Sequence, residues 1–227
     1  MKRIPEKPLM ENPLQARVYA EADFGETDRI FINRLEEFLF KNQKDRCDHN
    51  VMVDLGCGPG NITERLISRW PNSTVIGLDG SQAMISIAKE RQSACRNLSK
   101  IKYRRFFLCS EQLKSSSFNS YADIVVSNSL LHHYPEPHSF WEVTKTIGSP
   151  GAFIYHRDLI RPCDELALSV EHQKLGDAHQ ILKEDYLASL RASFTVDEVK
   201  DQLLTEGLHN LNVITKDYRY LEVFGNL

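Results

Sequence analysis

Three glycines alternate in the stretch Val51-Met-Val-Asp-Leu-Gly-Cys-Gly-Pro-Gly60, directly behind a short apolar run. Glycine inside a strand costs backbone entropy and packs nothing. The spacing therefore predicts a strand that stops, then a loop whose backbone a ligand can approach closely. Asp79 follows about twenty residues after the loop, where an acidic side chain can accept hydrogen bonds from both ribose hydroxyls. Loop and carboxylate together point to a nucleoside-containing ligand. A nucleoside triphosphate does not fit, because Asn61, Ile62 and Thr63 stand where a phosphate loop needs its Lys. A nicotinamide dinucleotide fits poorly: the third glycine, Gly60, comes one residue early, and Pro59 removes an N–H.

The elements around this loop alternate. Apolar strand patterns are predicted at Val51–Leu55, Thr74–Asp79, Ile101–Leu108, Ala122–Asn128 and Gly151–Leu159. Helices are predicted at Asn61–Trp70, at about Gln82–Arg91 behind the capping Ser81, and at Pro137–Ile147. One long helix is expected over Leu14–Phe40, and further helices over Ile181–Ser193 and Val196–Glu206. Two strand-like runs close the chain, "LNVITKDY" and "YLEVFG", spaced as a hairpin. Alternation of this kind predicts an α/β fold with a mostly parallel sheet covered by helices on both faces. Ligands of such sheets bind outside the carboxyl ends of the strands. Residues 1–45 are expected to form an arm and helical cap, the part before Pro13 being loose, and residues 46–227 the ligand-binding domain.

The 227 residues are 41% hydrophobic with a formal net charge of −3, enough for one ordinary core and without the basic excess of a dedicated nucleic-acid binder. No apolar run is long enough to span a membrane, and no signal peptide is evident, so a cytoplasmic location is expected. The five cysteines (Cys47, Cys57, Cys95, Cys109, Cys163) form no C-x-x-C pair, and reduced thiols without a metal site are expected.

The segments "VMVDLGCGPGNITERL", "VIGLDGSQAMISIAKE" and "YADIVVSNSLLHHYPEP", in that order, resemble the successive motifs of class I S-adenosylmethionine-dependent methyltransferases. The resemblance covers roughly Val51 to Leu159. It implies a Rossmann-like seven-stranded sheet with one antiparallel edge strand and an N-terminal helical lid. S-adenosylmethionine is the implied cofactor and S-adenosylhomocysteine the product. It also implies a distribution of roles. Gly56, Cys57 and Gly58 would face the methionine part, Asp54 its ammonium group, and Asp79 the ribose. Gly80 and Met84 would lie beside the adenosine, and Asn128 and Ser129 beside the methionine half. Where the family carries an adenine-binding Asp this chain has Cys109, a poor acceptor, so backbone groups near Ser110, or the side chain of Ser110 or Glu111, are expected to serve adenine.

Tyr19 and the "ADFGE" stretch (22–26), with Gly25 as a bend, suit a lid over the cofactor. His132 is a candidate active-site residue; a metal at His132-His133 is not expected, since no further ligand lies near in sequence. Asp158 is the candidate substrate-orienting carboxylate or general base, and Arg157 or Arg161 a candidate for a substrate anion. His156 is read as buried or functional alike. By analogy His179 and Tyr186 would cover the substrate, while Lys100, Lys102, Arg104 and Arg105 form a solvated face. No N-P-P-Y-type signature of nucleic-acid amino-methyltransferases is present, and a small-molecule acceptor is expected. The alternatives are an RNA or protein methyltransferase, and a non-catalytic cofactor-binding regulator.

Overall fold

The computed structural model describes residues 1–6, 9–41, 50–109, 112, 118–216 and 218–227. Its centre is a seven-stranded sheet in the order β3-β2-β1-β4-β5-β7-β6. The strands are β1 (Val51–Leu55), β2 (Thr74–Asp79), β3 (Lys102–Arg105), β4 (Ala122–Asn128), β5 (Gly148–Leu159), β6 (Leu211–Thr215) and β7 (Tyr220–Asn226). The first five pair in parallel. Antiparallel pairing is confined to β7, which lies between β5 and the edge strand β6. Strand order reverses beside β1, between β2 and β4. The cleft at the carboxyl ends of β1 and β4 is thus the topological switch point, where open α/β sheets bind ligands.

Alternation along the strands sends successive residues to opposite layers. Met52, Ile124 and Val126 join one core with Phe31, Leu35, Leu66 and Ile85. Val53, Leu55 and Val125 join the other with Phe140, Trp141 and Val199. Helices α2 (Gly25–Lys41), α3 (Asn61–Arg69) and α4 (Gln82–Ala94) cover the first face, and α1 (Pro13–Glu21) packs outside them against α4. The rest of the chain supplies α5 (His138–Ile147), α6 (Glu165–Lys174), α7 (Gln180–Ala192) and α8 (Val196–Thr205). Among the described residues no helix is long and apolar enough to cross a membrane.

Several expectations are corrected. The predicted helix over Leu14–Phe40 is two helices, broken at Ala22–Phe24, where Asp23 accepts the Gly25 N–H at 2.9 Å. Gly25 therefore starts a helix rather than bending one. The third strand is shorter than read, and α6 was not foreseen, because Glu165–Lys174 carries no clear apolar stripe. The N-terminal arm is docked, not loose. Arg3 donates to the carbonyls of Pro135 (2.9 Å), Tyr134 (2.7 Å) and His132 (3.2 Å), and the Ile4 N–H to Arg191 O (3.0 Å). Helix α2 is also locked to the sheet: its Arg34 guanidinium meets the buried Glu222 of β7 at 2.7 Å. Tyr155 donates to the same carboxylate at 3.1 Å.

Candidate active site

The glycine loop leaves β1 with Gly56, Gly58 and Gly60 all in the left-handed region, at φ +64°, +53° and +97°. At Gly58 the left-handed conformation alone favours glycine, with no neighbouring atom in the way. A Cβ on Gly56 would strike Leu130 at 2.5 Å and one on Gly60 the Tyr103 hydroxyl at 2.3 Å, whereas one on Gly58 would meet nothing within 4 Å. Gly56 and Gly60 thus serve packing and conformation, and Gly58 borders open space. Asp79 holds this loop: one carboxylate oxygen accepts the Gly58 N–H at 2.8 Å and the other the Ser81 N–H at 2.7 Å. A carboxylate has lone pairs left over for ribose hydroxyls. Burial pushes its pKa upward, partly offset by those two N–H donors.

Asp54, at the end of β1, is 1% exposed and accepts the Thr63 hydroxyl at 2.6 Å. Burial raises its pKa to about 7, against the Thr63 hydrogen bond. A cationic partner is what such a carboxylate lacks. Ser81 caps α4 by accepting the Met84 N–H at 3.2 Å and ties down the arm by donating to Met10 O at 2.8 Å.

These residues share one cavity of about 600 Å³. Its wall takes in Asp54, Gly56, Cys57, Gly58, Asp79, Gly80, Met84 and Cys109, with Leu9 and Phe107 from the arm and the β3 exit. It also takes in Asn128, Ser129, His132, His133, Asp185, Tyr186, Ser189 and Arg219. Tyr19, its ring tilted against Phe24 at 4.9 Å, lines it from α1. Met84 serves twice, also packing with Ala16 and Ile87. Ser110 and Glu111 lie outside the described residues.

The candidate catalytic pair is brought together. His132 Nδ1 stands 2.5 Å from Asp158 Oδ1, and both are buried. Burial opposes charge on either group, but the pair overcomes it, raising the His132 pKa and lowering that of Asp158. Only His132 lines the cavity; Asp158 stands behind it, also accepting the Leu159 N–H at 2.7 Å. Asp158 is therefore placed to orient the imidazole rather than to touch an acceptor. Ser129, between β4 and His132, is a non-glycine residue at φ +57°, and such strain collects at functional sites.

Other candidates serve the fold. Arg157 donates to Thr27 O at 2.9 Å and stacks on Tyr220, and Arg161 pairs with Glu198 at 2.6 Å; neither lines the cavity. His156 is held between Ser127 (2.9 Å) and Thr144 (3.2 Å), and burial depresses its pKa to about 3. His179 caps α7, while its neighbour Tyr186 reaches the cavity. Sequence reasoning missed Asp28, Asp185 and Arg219, all cavity-lining. Arg219 lies on the β6–β7 turn, and no local motif marks it. Asp28 sits on a helix face that reads as solvent-exposed, yet it is 4% exposed beside Arg65.

The fold and this cavity define an α/β protein with a ligand-sized cavity at its switch point. Residues 53–154 match the family described as "Methyltransferase domain". The chain is 36% identical over 85 residues to a trans-aconitate 2-methyltransferase of Mycolicibacterium gilvum, covering 37% of this chain and 28% of that protein. A Rhodopseudomonas palustris protein of the same name is 58% identical over 40 residues, 18% of this chain and 16% of its own length. The matched stretches thus span under a third of these relatives. Among solved structures, the plantazolicin methyltransferase BpumL, in complex with a desmethylPZN analog and SAH, superposes with TM-score 0.66 at 16% identity, covering 94% of this chain and 89% of that one. A SAM-dependent methyltransferase from Aquifex aeolicus gives TM-score 0.60 at 15% identity, covering 95% and 98%. Residues 53–154 thus match a methyltransferase domain family, and the chain shares its fold with solved S-adenosylmethionine-dependent methyltransferases.

Proposed function

We propose that the chain transfers the methyl group of S-adenosylmethionine to a small molecule that carries an anionic end. The observation that carries this reading is the single cavity lined by Gly58 and Asp79 together with Asn128, His132 and Arg219. Its volume lies within the range of about 300–1,000 Å³ usual for small-molecule sites. An adenosyl ligand takes much of that space, so the acceptor is small. The arm residues Leu9 and Met10 and the α7 residues Asp185, Tyr186 and Ser189 line the cavity too, an arrangement less suited to a macromolecular acceptor. Residues 1–45 act in this reading as a cap on the methyltransferase domain of residues 46–227, their shared boundary lying outside the described residues.

In the proposed complex Asp79 accepts the ribose hydroxyls and Asp54 the ammonium group. Gly58 leaves room for the ligand, and Cys57, Gly80, Met84, Asn128 and Ser129 line its course. Asn128 Oδ1 is a buried acceptor without a hydrogen-bond partner among the described residues, and so is Asp185 Oδ2. Both atoms offer fixed polar contacts to ligands. Arg219, between Tyr186 and Tyr220 at 5.2 Å from each ring, is the guanidinium for an acceptor carboxylate. That the curated relatives are named for a carboxylic-acid substrate agrees with an anionic acceptor.

The sulfonium is an activated methyl donor with a neutral leaving group, so alignment and exclusion of water supply much of the rate. An acceptor that starts protonated also needs a proton acceptor. His132, oriented by Asp158, stands at the cavity wall for that task. The deciding experiment is calorimetry with S-adenosylhomocysteine and NAD in parallel, followed by a turnover screen of small carboxylic acids. Binding of the adenosyl compound alone supports the reading, with methylation of an acid that Arg219→Met impairs through KM. Binding of NAD alone, or of neither compound, sinks it.

A further inference from the structure

The docked arm brings a third metal-ligating side chain to the His132-His133 pair. Glu6 Oε1 lies 2.7 Å from His133 Nδ1 and 3.4 Å from His132 Nε2. One ligand atom from each of the three residues falls within 4.8 Å of the others. We propose that Glu6, His132 and His133 form a three-ligand site for a divalent metal ion of the zinc type, with its remaining position open to the cavity. The proposal rests on the methyltransferase reading only for what fills that open position.

Four observations support it. Ligands about 2.1 Å from a tetrahedral zinc stand about 3.4 Å apart, which is the Glu6–His132 separation. The second is the His133–Glu6 contact itself: Nδ1 faces Glu6 Oε1 at 2.7 Å. Burial pushes the Glu6 carboxyl up, but this pairing holds its pKa below the usual carboxylate value. A bound ion would replace that contact and take one lone pair from each atom. The third is Asp158. Metal-bound histidines almost always give their other ring N–H to a carboxylate or carbonyl, which fixes the tautomer. His132 Nδ1 faces Asp158 Oδ1 at 2.5 Å, leaving Nε2 for the metal side. The fourth is that the ligand from the arm is held. Arg3 clamps the carbonyls of His132, Tyr134 and Pro135, and Ser189 donates to Glu6 at 3.2 Å.

Two histidines and one carboxylate with an open position is the ligand set of catalytic rather than structural zinc sites. An acceptor hydroxyl or thiol taking that position would lose its proton to solvent, as metal ligation generally requires. Its lone pair would then form the new bond to the methyl carbon, while the carbon–sulfur bond breaks with its electrons going to the sulfonium sulfur. His132 Nε2 is in that case a ligand, and the metal-bound acceptor needs no separate base.

The experiment is titration of the chelator-treated full chain with cobalt(II) chloride, read by visible absorption, beside S-adenosylhomocysteine calorimetry. The expected result is one equivalent of cobalt with the intensified ligand-field bands of a four- or five-coordinate ion, displaced by zinc. Glu6→Gln and His133→Asn should each abolish the bands. Asp158→Asn should weaken cobalt affinity about 10- to 100-fold, the usual cost of losing an outer-shell partner. Glu6→Gln should leave S-adenosylhomocysteine affinity within twofold. Absent bands in the wild type, or bands that survive both Glu6→Gln and His133→Asn, overturn the metal site. Cobalt bands without any S-adenosylhomocysteine binding overturn the methyltransferase reading and leave the metal site standing.

Discussion

In the cavity wall, Asp54, Gly56, Gly58, Asp79 and Met84 come from consecutive elements, β1 to α4. His132, Asp185 and Arg219, which line the same cavity, come from segments far apart in the chain. Under the proposed function the contrast follows from the chemistry assigned to the two groups of residues. The first must offer backbone and carboxylates at a strand terminus, which one strand–loop–helix–strand unit supplies by itself. The second must match an acceptor, and it is assembled from parts that the rest of the sheet carries to the same rim.

The sharpest way to break that comparison lies within the loop. Gly58→Val places its side chain in open cavity, so it should lower S-adenosylhomocysteine affinity at least about a hundredfold, which is ~2.7 kcal/mol. Its thermal midpoint should fall only by the modest cost of a left-handed side chain, about 1–2 kcal/mol. Gly60→Val drives its Cβ into the Tyr103 hydroxyl and should chiefly unfold the protein. Calorimetry and thermal melts on both variants decide it. Equal stability losses would show that Gly58 is a packing glycine like its neighbours.

Asp158→Asn tests the other group. It should lower turnover about a hundredfold, in the range of general acid–base effects. Affinity for S-adenosylhomocysteine should stay within twofold, because Asp158 does not line the cavity. A positioning role predicts the loss in kcat with little change in KM. A loss confined to KM would make Asp158 part of acceptor binding instead.

This contrast also explains what was legible in the sequence. The glycine loop, Asp54, Asp79 and the Ser81 cap could be read because strand, turn and helix signals there are local. The His132–Asp158 pair could be suspected residue by residue, since Asp158 lies at the end of β5 and His132 just beyond β4, but their 2.5 Å contact could not. Glu6, Asp185 and Arg219 carried no signal, because their places depend on docking of the arm, the α7 packing and the β7 reversal. The break between α1 and α2 was hidden for a similar reason. The apolar positions keep helical spacing across it, and Asp23 ends the run through a local side-chain hydrogen bond.

A smaller effect tests Asp54. Its pKa of about 7 in the free protein should fall when an ammonium group arrives, so binding releases a proton near neutrality. Affinity for S-adenosylhomocysteine should therefore rise from pH 6 to pH 8, by at most about tenfold per unit, and then level off. Calorimetry in buffers of different ionisation enthalpy measures the proton directly. No proton release, with affinity flat across this range, would place the ammonium group away from Asp54.

The smallest expected effect separates the sheet from the cavity. His156 lies two residues before Asp158 on β5, yet it is enclosed by Ser127 and Thr144 and its pKa is depressed to about 3. A depressed histidine favours the folded state while neutral. Its contribution is full above the ordinary value of about 6.5 and declines as pH falls from there toward 3. His132 runs the other way, since its raised pKa gives stability at low pH that is lost on passing above it. Urea midpoints at pH 7.5, 6.0 and 5.0, wild type against His156→Gln, isolate the first term because His132 is common to both. The wild type should lose more stability than the variant between pH 6.5 and 5, with S-adenosylhomocysteine affinity unchanged by the substitution. Parallel pH curves would mean that the imidazole is solvated when the chain folds. A drop in affinity would mean that the interior of β5 and the cavity rim are not the separate regions that their contacts describe.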